Sequence, residues 1–153
     1  MVSCKIVIPT ELLMSFRPTH QHEGLFFWWE FDGVPYPFED HADAPGVVFG
    51  WWTSQLMQLS YGARATPLVF FEGAPALVLT QEDNRIFASG EGFGPVEVEW
   101  ESLASALQQA IITVAPAFEQ MDRAWAKRFR EDADRLDEIK GYRKNTRKKQ
   151  NPI

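Results

Sequence analysis

The chain has 153 residues, enough for one domain with its own hydrophobic core. Hydrophobic residues make up 45% and charged residues 24%, a globular mixture, and no apolar run approaches the roughly 18–20 residues that cross a bilayer. The net charge of −6 is unevenly spread: positions 1–139 carry 21 acidic and nine basic residues, while positions 140–153 carry six basic residues and no acid. Before Ala115 only Lys5, Arg17, Arg64 and Arg85 oppose 14 acids. Such a body repels nucleic acid as a main partner and attracts basic proteins, although acidity also serves solubility alone. The lone Cys4 cannot form an internal disulfide, and the N-terminal residues lack a signal-peptide pattern; both suit the cytoplasm.

From the N-terminus, "CKIVIP" reads as a strand that breaks at Pro9 and continues in "ELLMSF". "RPTHQHE" reads as a loop. The next stretch, "GLFFWWEFDG", holds five of the 21 aromatic residues. As a strand it places Leu25, Phe27, Trp29 and Phe31 on one apolar face, and Phe26, Trp28, Glu30 and Asp32 on the other. The second face turns polar half-way along, so Trp28 is either covered architecture or an exposed contact residue beside two carboxylates.

"GVPYPFEDHADAPG", with three prolines and the acids Glu39, Asp40 and Asp43, reads as a long loop. Phe49, Trp52, Leu56 and Leu59 then recur at helical spacing, with Trp51 about 100° around from Trp52 and Gly62 as the stop. "PLVFFE", "ALVLTQ" and "RIFAS" follow as antiparallel strands joined by short turns. "VEVEW" alternates Val96, Val98 and Trp100 inward against Glu97 and Glu99 outward.

Leu103, Leu107, Ala110, Ile111 and Val114 mark a further helix that Pro116 ends or kinks. From Phe118 another helix follows, with Met121, Trp125, Phe129, Leu136 and Ile139 on one face and Gly141 as its stop. The expected architecture is therefore α+β: an antiparallel sheet of about five to six strands, helices mainly on one face, and a long C-terminal helix. A strongly curled sheet around the first helix fits the same order. Positions 1–140 read as one domain and positions 141–153 as a basic, disordered tail.

Signals for chemistry are weak. His20, His22 and His41 lie in loops without metal-ligand spacing, so neither a metal nor any other cofactor is expected. Cys4 reads as a buried hydrophobe, no G-x-S-x-G elbow occurs, and "SGEGFGP" reads as a wide hairpin turn rather than a phosphate cradle. No catalytic residue is assigned, and the chain reads as a non-enzyme.

Two functions remain. In one, a binding protein meets a basic partner through Trp28, Glu30, Asp32, Glu39, Asp40, Asp43 and Trp51, the carboxylates supplying charge and the tryptophans the anchors. With "PGVVFGWWTSQLMQL" feeding a helix and "VEVEWESLASALQQA" running from strand into helix, positions 1–115 resemble small bacterial immunity proteins. That resemblance implies a cytoplasmic inhibitor bound to its cognate toxin, often a nuclease, and carries over no individual residue. In the other, a small enzyme or ligand-binding domain has a cavity lined by Trp29, Trp52, Trp100 and Trp125, whose plainer role is core packing. The oligomeric state is left open.

Overall fold

In the computed structural model, the backbone is described for residues 1–150 and the side chains for residues 1–140. The helix expected to stop at Gly141 continues to Gln150; the expectation for the tail 141–153 lies outside the residues described with side chains. The fold is α+β. Among the described residues, three antiparallel sheets of three, two and four strands surround one core, which three long helices complete.

Strand β1 (Cys4–Val7) is followed by a single helical turn, α1 (Thr10–Met14), where a continued strand was expected. The aromatic stretch does not form one strand. It breaks at Phe27 into β2 (Leu25–Phe26) and β3 (Trp28–Phe31). The expected inward face is kept, because Leu25, Phe27, Trp29 and Phe31 are all buried. After β3, Asp32 and Gly33 both take positive φ, 47° and 85°, and turn the chain into β4 (Val34–Tyr36). A two-residue Asp-Gly turn suits the right-handed twist of a hairpin, so the proline-rich "loop" begins as a strand. It also holds β5 (Ala42–Asp43), which pairs with β2.

Helix α2 (Pro45–Ser60) buries Phe49, Trp52, Leu56 and Leu59 completely, as their spacing predicts. Proline at its start needs no N–H partner, and at its end Gly62 takes φ 103°. Ala63 N–H then reaches Gln58 O at 3.1 Å and Gly62 N–H reaches Leu59 O at 3.1 Å, the two bonds of a Schellman stop.

The four-stranded sheet runs β6 (Ala65–Leu68), β7 (Leu77–Glu82), β8 (Arg85–Gly90) and β9 (Phe93–Val98) in chain order. Asp83 and Asn84, at φ 48° and 65°, make the tight β7–β8 turn. Gly90 pairs with Phe93, so the β8–β9 connection is also tight rather than wide. A parallel bridge between Val2 and Val98 joins this sheet to the β1–β3–β4 sheet. The outermost strands, β4 and β6, contain Pro35 and Pro67. Proline removes a donor from an edge and discourages strand addition.

Aromatic rings lock the layers together. Trp52 of α2 meets Trp29 at 5.6 Å, Trp29 stacks on Phe31 at 5.9 Å, and Phe31 meets Phe93 at 5.1 Å. Tyr36 touches Phe93 and Phe70, and Phe70 returns to Trp52 at 5.4 Å, closing a circuit of rings. The Tyr36 ring lies directly against Gly90, which leaves no room there for a β-carbon.

Helix α3 (Trp100–Met121) buries the predicted Leu103, Leu107, Ala110, Ile111 and Val114. Pro116 does not end it; the helix continues to Met121 and breaks at Asp122, whose φ of −161° and ψ of 125° are extended. The Asp122 carboxylate then accepts the Ala124 N–H at 2.9 Å and starts α4 (Arg123–Gln150). Phe118 therefore belongs to α3, and α4 buries Phe129, Leu136 and Ile139.

Candidate functional site

The residues expected at a contact surface divide sharply. Trp28 is only 6% exposed, opposite Val7 of β1, so its ring is architecture and not an anchor. Asp43 is buried as well. Its Oδ2 lies 3.1 Å from His41 Nε2, and its Oδ1 accepts the Ala44 N–H at 2.7 Å in front of α2. That carboxylate faces the positive end of a helix whose first residues offer no capping side chain. Glu30 is half-buried, with Lys5 Nζ at 3.5 Å, and Asp32 is exposed in the β3–β4 turn. Glu39 and Asp40 are exposed, Asp40 at φ 65°, a conformation Asp tolerates better than most residues. Trp51 is 44% exposed.

These survivors do not form one patch. Glu30 and Asp32 line a shallow hollow with Ser3, Cys4, Lys5 and Gly33. A second hollow, about 460 Å³, opens between the 38–43 segment and the 72–74 loop. Phe38, 56% exposed, stands at this hollow with Glu72 among its other lining residues, and no Lys or Arg lines it among the described residues. Below Phe38 the His41 ring is wedged edge-on between Phe38 and Phe70 at 5.1 and 5.2 Å. The buried His41–Asp43 pair thus fixes the base of the segment that presents Phe38, Glu39 and Asp40. Sequence reading missed Phe38 and Glu72; an apolar residue inside an acidic, proline-bounded loop was the available signal.

A third opening, about 550 Å³, lies between α2 and α4. Gly46, Val47 and Gly50 line its α2 side, and Trp125, Arg128, Asp132 and Arg135 line its α4 side. Trp51 and Phe71, the latter 41% exposed, face one another at 6.3 Å, and His22 lies 5.3 Å from Phe71. The Arg128 guanidinium sits 4.7 Å over the Trp125 ring. Burial pushes the Asp132 carboxyl above its ordinary range, and Arg135 and Arg128 offset only part of that cost.

Cys4 is half-buried rather than buried, with its sulfur 3.6 Å from Ser102 Oγ. Burial raises its thiol pKa to about 12; Ser102 lowers it and Glu99 adds to the rise. A thiol so rarely ionised is a poor nucleophile. His20 and His22 lie 6.1 Å apart by ring centres, and among the described residues no three His, Cys, Asp or Glu side chains gather as a metal site. Trp29, Trp52 and Trp100 are buried in the core, whereas Trp125 lines the α2–α4 opening. No helix among the described residues is long and apolar enough to cross a membrane. Comparison with protein-family models, with curated proteins and with solved structures finds no match for this chain.

Proposed function

We propose that this chain is a non-catalytic acidic binding protein, a cytoplasmic immunity protein that neutralises a basic toxin by direct contact. The observation that carries the reading is the hollow at Phe38. A large aromatic ring 56% exposed to water is paired there with Glu72 and flanked by Glu39 and Asp40, with no cation among its described lining residues. An exposed ring rimmed by carboxylates suits a basic protein: the ring supplies buried apolar area, and the charges steer encounter. The rigid base under the segment limits the entropy lost on binding. The toxin's activity as a nuclease follows from the resemblance alone.

The test uses the product of the neighbouring reading frame, where a toxin of this kind is encoded. Mixed with the full chain, it is expected to co-elute as a complex that Phe38→Ala and Glu72→Lys each weaken at least tenfold. A neighbouring product that forms no complex, or one that binds both variants as well as wild type, refutes the reading.

A further inference from the structure

Two unfavourable features meet at one point of the α2–α4 cleft. The first is Gly50, near the middle of α2, where glycine is the poorest helix former after proline. Close packing explains Gly46, one turn earlier: a β-carbon there would lie 2.6 Å from Gln21 O and 3.0 Å from the Phe118 ring. It does not explain Gly50. A β-carbon at Gly50 would have one neighbour within 4 Å, Asp132 Oδ2 at 3.9 Å. The second feature is Asp132 itself. Its side chain is only 17% exposed, yet its closest cation among the described residues, Arg135 Nη1, stands 3.6 Å from Oδ1, beyond good hydrogen-bond length. Arg128 is engaged with the Trp125 ring instead. Glycine keeps the approach to Oδ2 open, and the carboxylate at its end is short of donors.

The walls of this slot indicate the ligand. Trp51 and Phe71 are exposed rings of the kind that attract cations, and Glu131 lines the opening with Asp132, opposed by Arg128 and Arg135. A planar guanidinium both stacks on such rings and donates two parallel bonds to a carboxylate, which an ammonium cannot do. We propose that the α2–α4 cleft is a receptor for one arginine side chain, bound through Asp132 and sheltered by Trp51 and Phe71. In the reading given above, on which this source of the arginine rests, the basic partner supplies it. Arg135, itself 54% exposed, swings outward to make way.

L-argininamide is the probe, titrated into the ¹⁵N-labelled full chain while the indole N–H signals of Trp51 and Trp125 are followed. Saturable shifts are expected, with affinity reduced at least tenfold in Asp132→Asn and several-fold in Gly50→Ala. Both variants are expected to melt no lower than wild type, because each removes an unfavourable feature; this separates lost binding from lost folding. Inorganic phosphate at the same ionic strength is expected to leave both indoles unmoved. Argininamide without saturable shifts, unchanged affinity in Asp132→Asn, or phosphate reproducing the shifts each overturn the proposal. If the neighbouring-frame protein binds but Asp132→Asn leaves that affinity unchanged, the arginine receptor fails and the binding-protein reading stands. If argininamide binds through Asp132 but no basic protein does, the receptor stands and that reading fails.

Discussion

Replacing Trp28 with alanine separates architecture from contact surface on the outer face of β3. Trp28 is 6% exposed, whereas Phe26, two residues earlier in β2, is 40% exposed. A tryptophan covers roughly 150–250 Å². At about 25 cal/mol per Å², nearly complete burial is worth about 4–6 kcal/mol as an upper estimate. Trp→Ala substitutions in cores cost about 3–5 kcal/mol. Trp28 lies outside the main core cluster, so about 3 kcal/mol is expected for Trp28→Ala and about 1 kcal/mol or less for Phe26→Ala. In a domain of this size the first corresponds to about 6–12 °C in melting temperature. Urea denaturation with matched m-values gives both numbers. The reasoning is refuted if Trp28→Ala stays within about 1 kcal/mol of wild type, or if Phe26→Ala proves the costlier change.

Three further outcomes follow from individual groups. Asp43→Ala strips the buried His41 ring and the Ala44 N–H of their shared acceptor, so a loss of about 1–3 kcal/mol is expected by urea denaturation; a neutral effect would contradict the assigned pairing. The Cys4 thiol should react slowly with Ellman's reagent in the folded chain at pH 8 and rapidly once urea unfolds it; equal rates would contradict the burial argument. Because folding raises the Asp132 pKa, the folded state holds that proton more tightly, and the associated stability is lost as pH rises through the raised value. Asp132→Asn should therefore gain stability relative to wild type between pH 3 and pH 7, and an advantage that shrinks over that range would contradict the sign.

Much of the fold was legible because it rests on periodicity. The alternation of Leu25, Phe27, Trp29 and Phe31 marked an inward face, and the spacing of Phe49, Trp52, Leu56 and Leu59 marked the buried stripe of α2. The missed strands had local causes. The Asp32-Gly33 turn was present in the sequence, but the prolines that follow outweighed it, and edge strands accept proline where central ones do not. Pro116 was given too much weight: it removes one donor, while the buried residues on both sides, Val114 and Phe118, hold the helix together.

The site was less legible, for a different reason. Alternation says which face a residue is on, but not what covers that face, so Trp28 could not be placed. Asp43 was read as a surface acid, although the buried His41 and the start of α2 explain it better. Phe38 and Glu72 meet across one hollow from segments more than 30 positions apart, and Gly50 and Asp132 meet across one cleft from different helices. Such pairs exist only once the helices and sheets have packed.

The most direct measurement of the central claim is the association rate of the chain with the neighbouring-frame protein at several ionic strengths, for wild type and for Glu39→Lys/Asp40→Lys/Glu72→Lys. Electrostatic steering by the Phe38 surface predicts a wild-type rate that falls about tenfold or more between 20 and 300 mM salt, and a reversed-charge variant that is slow at low salt and nearly flat. A wild-type rate insensitive to salt, or a variant with the wild-type slope, would contradict it.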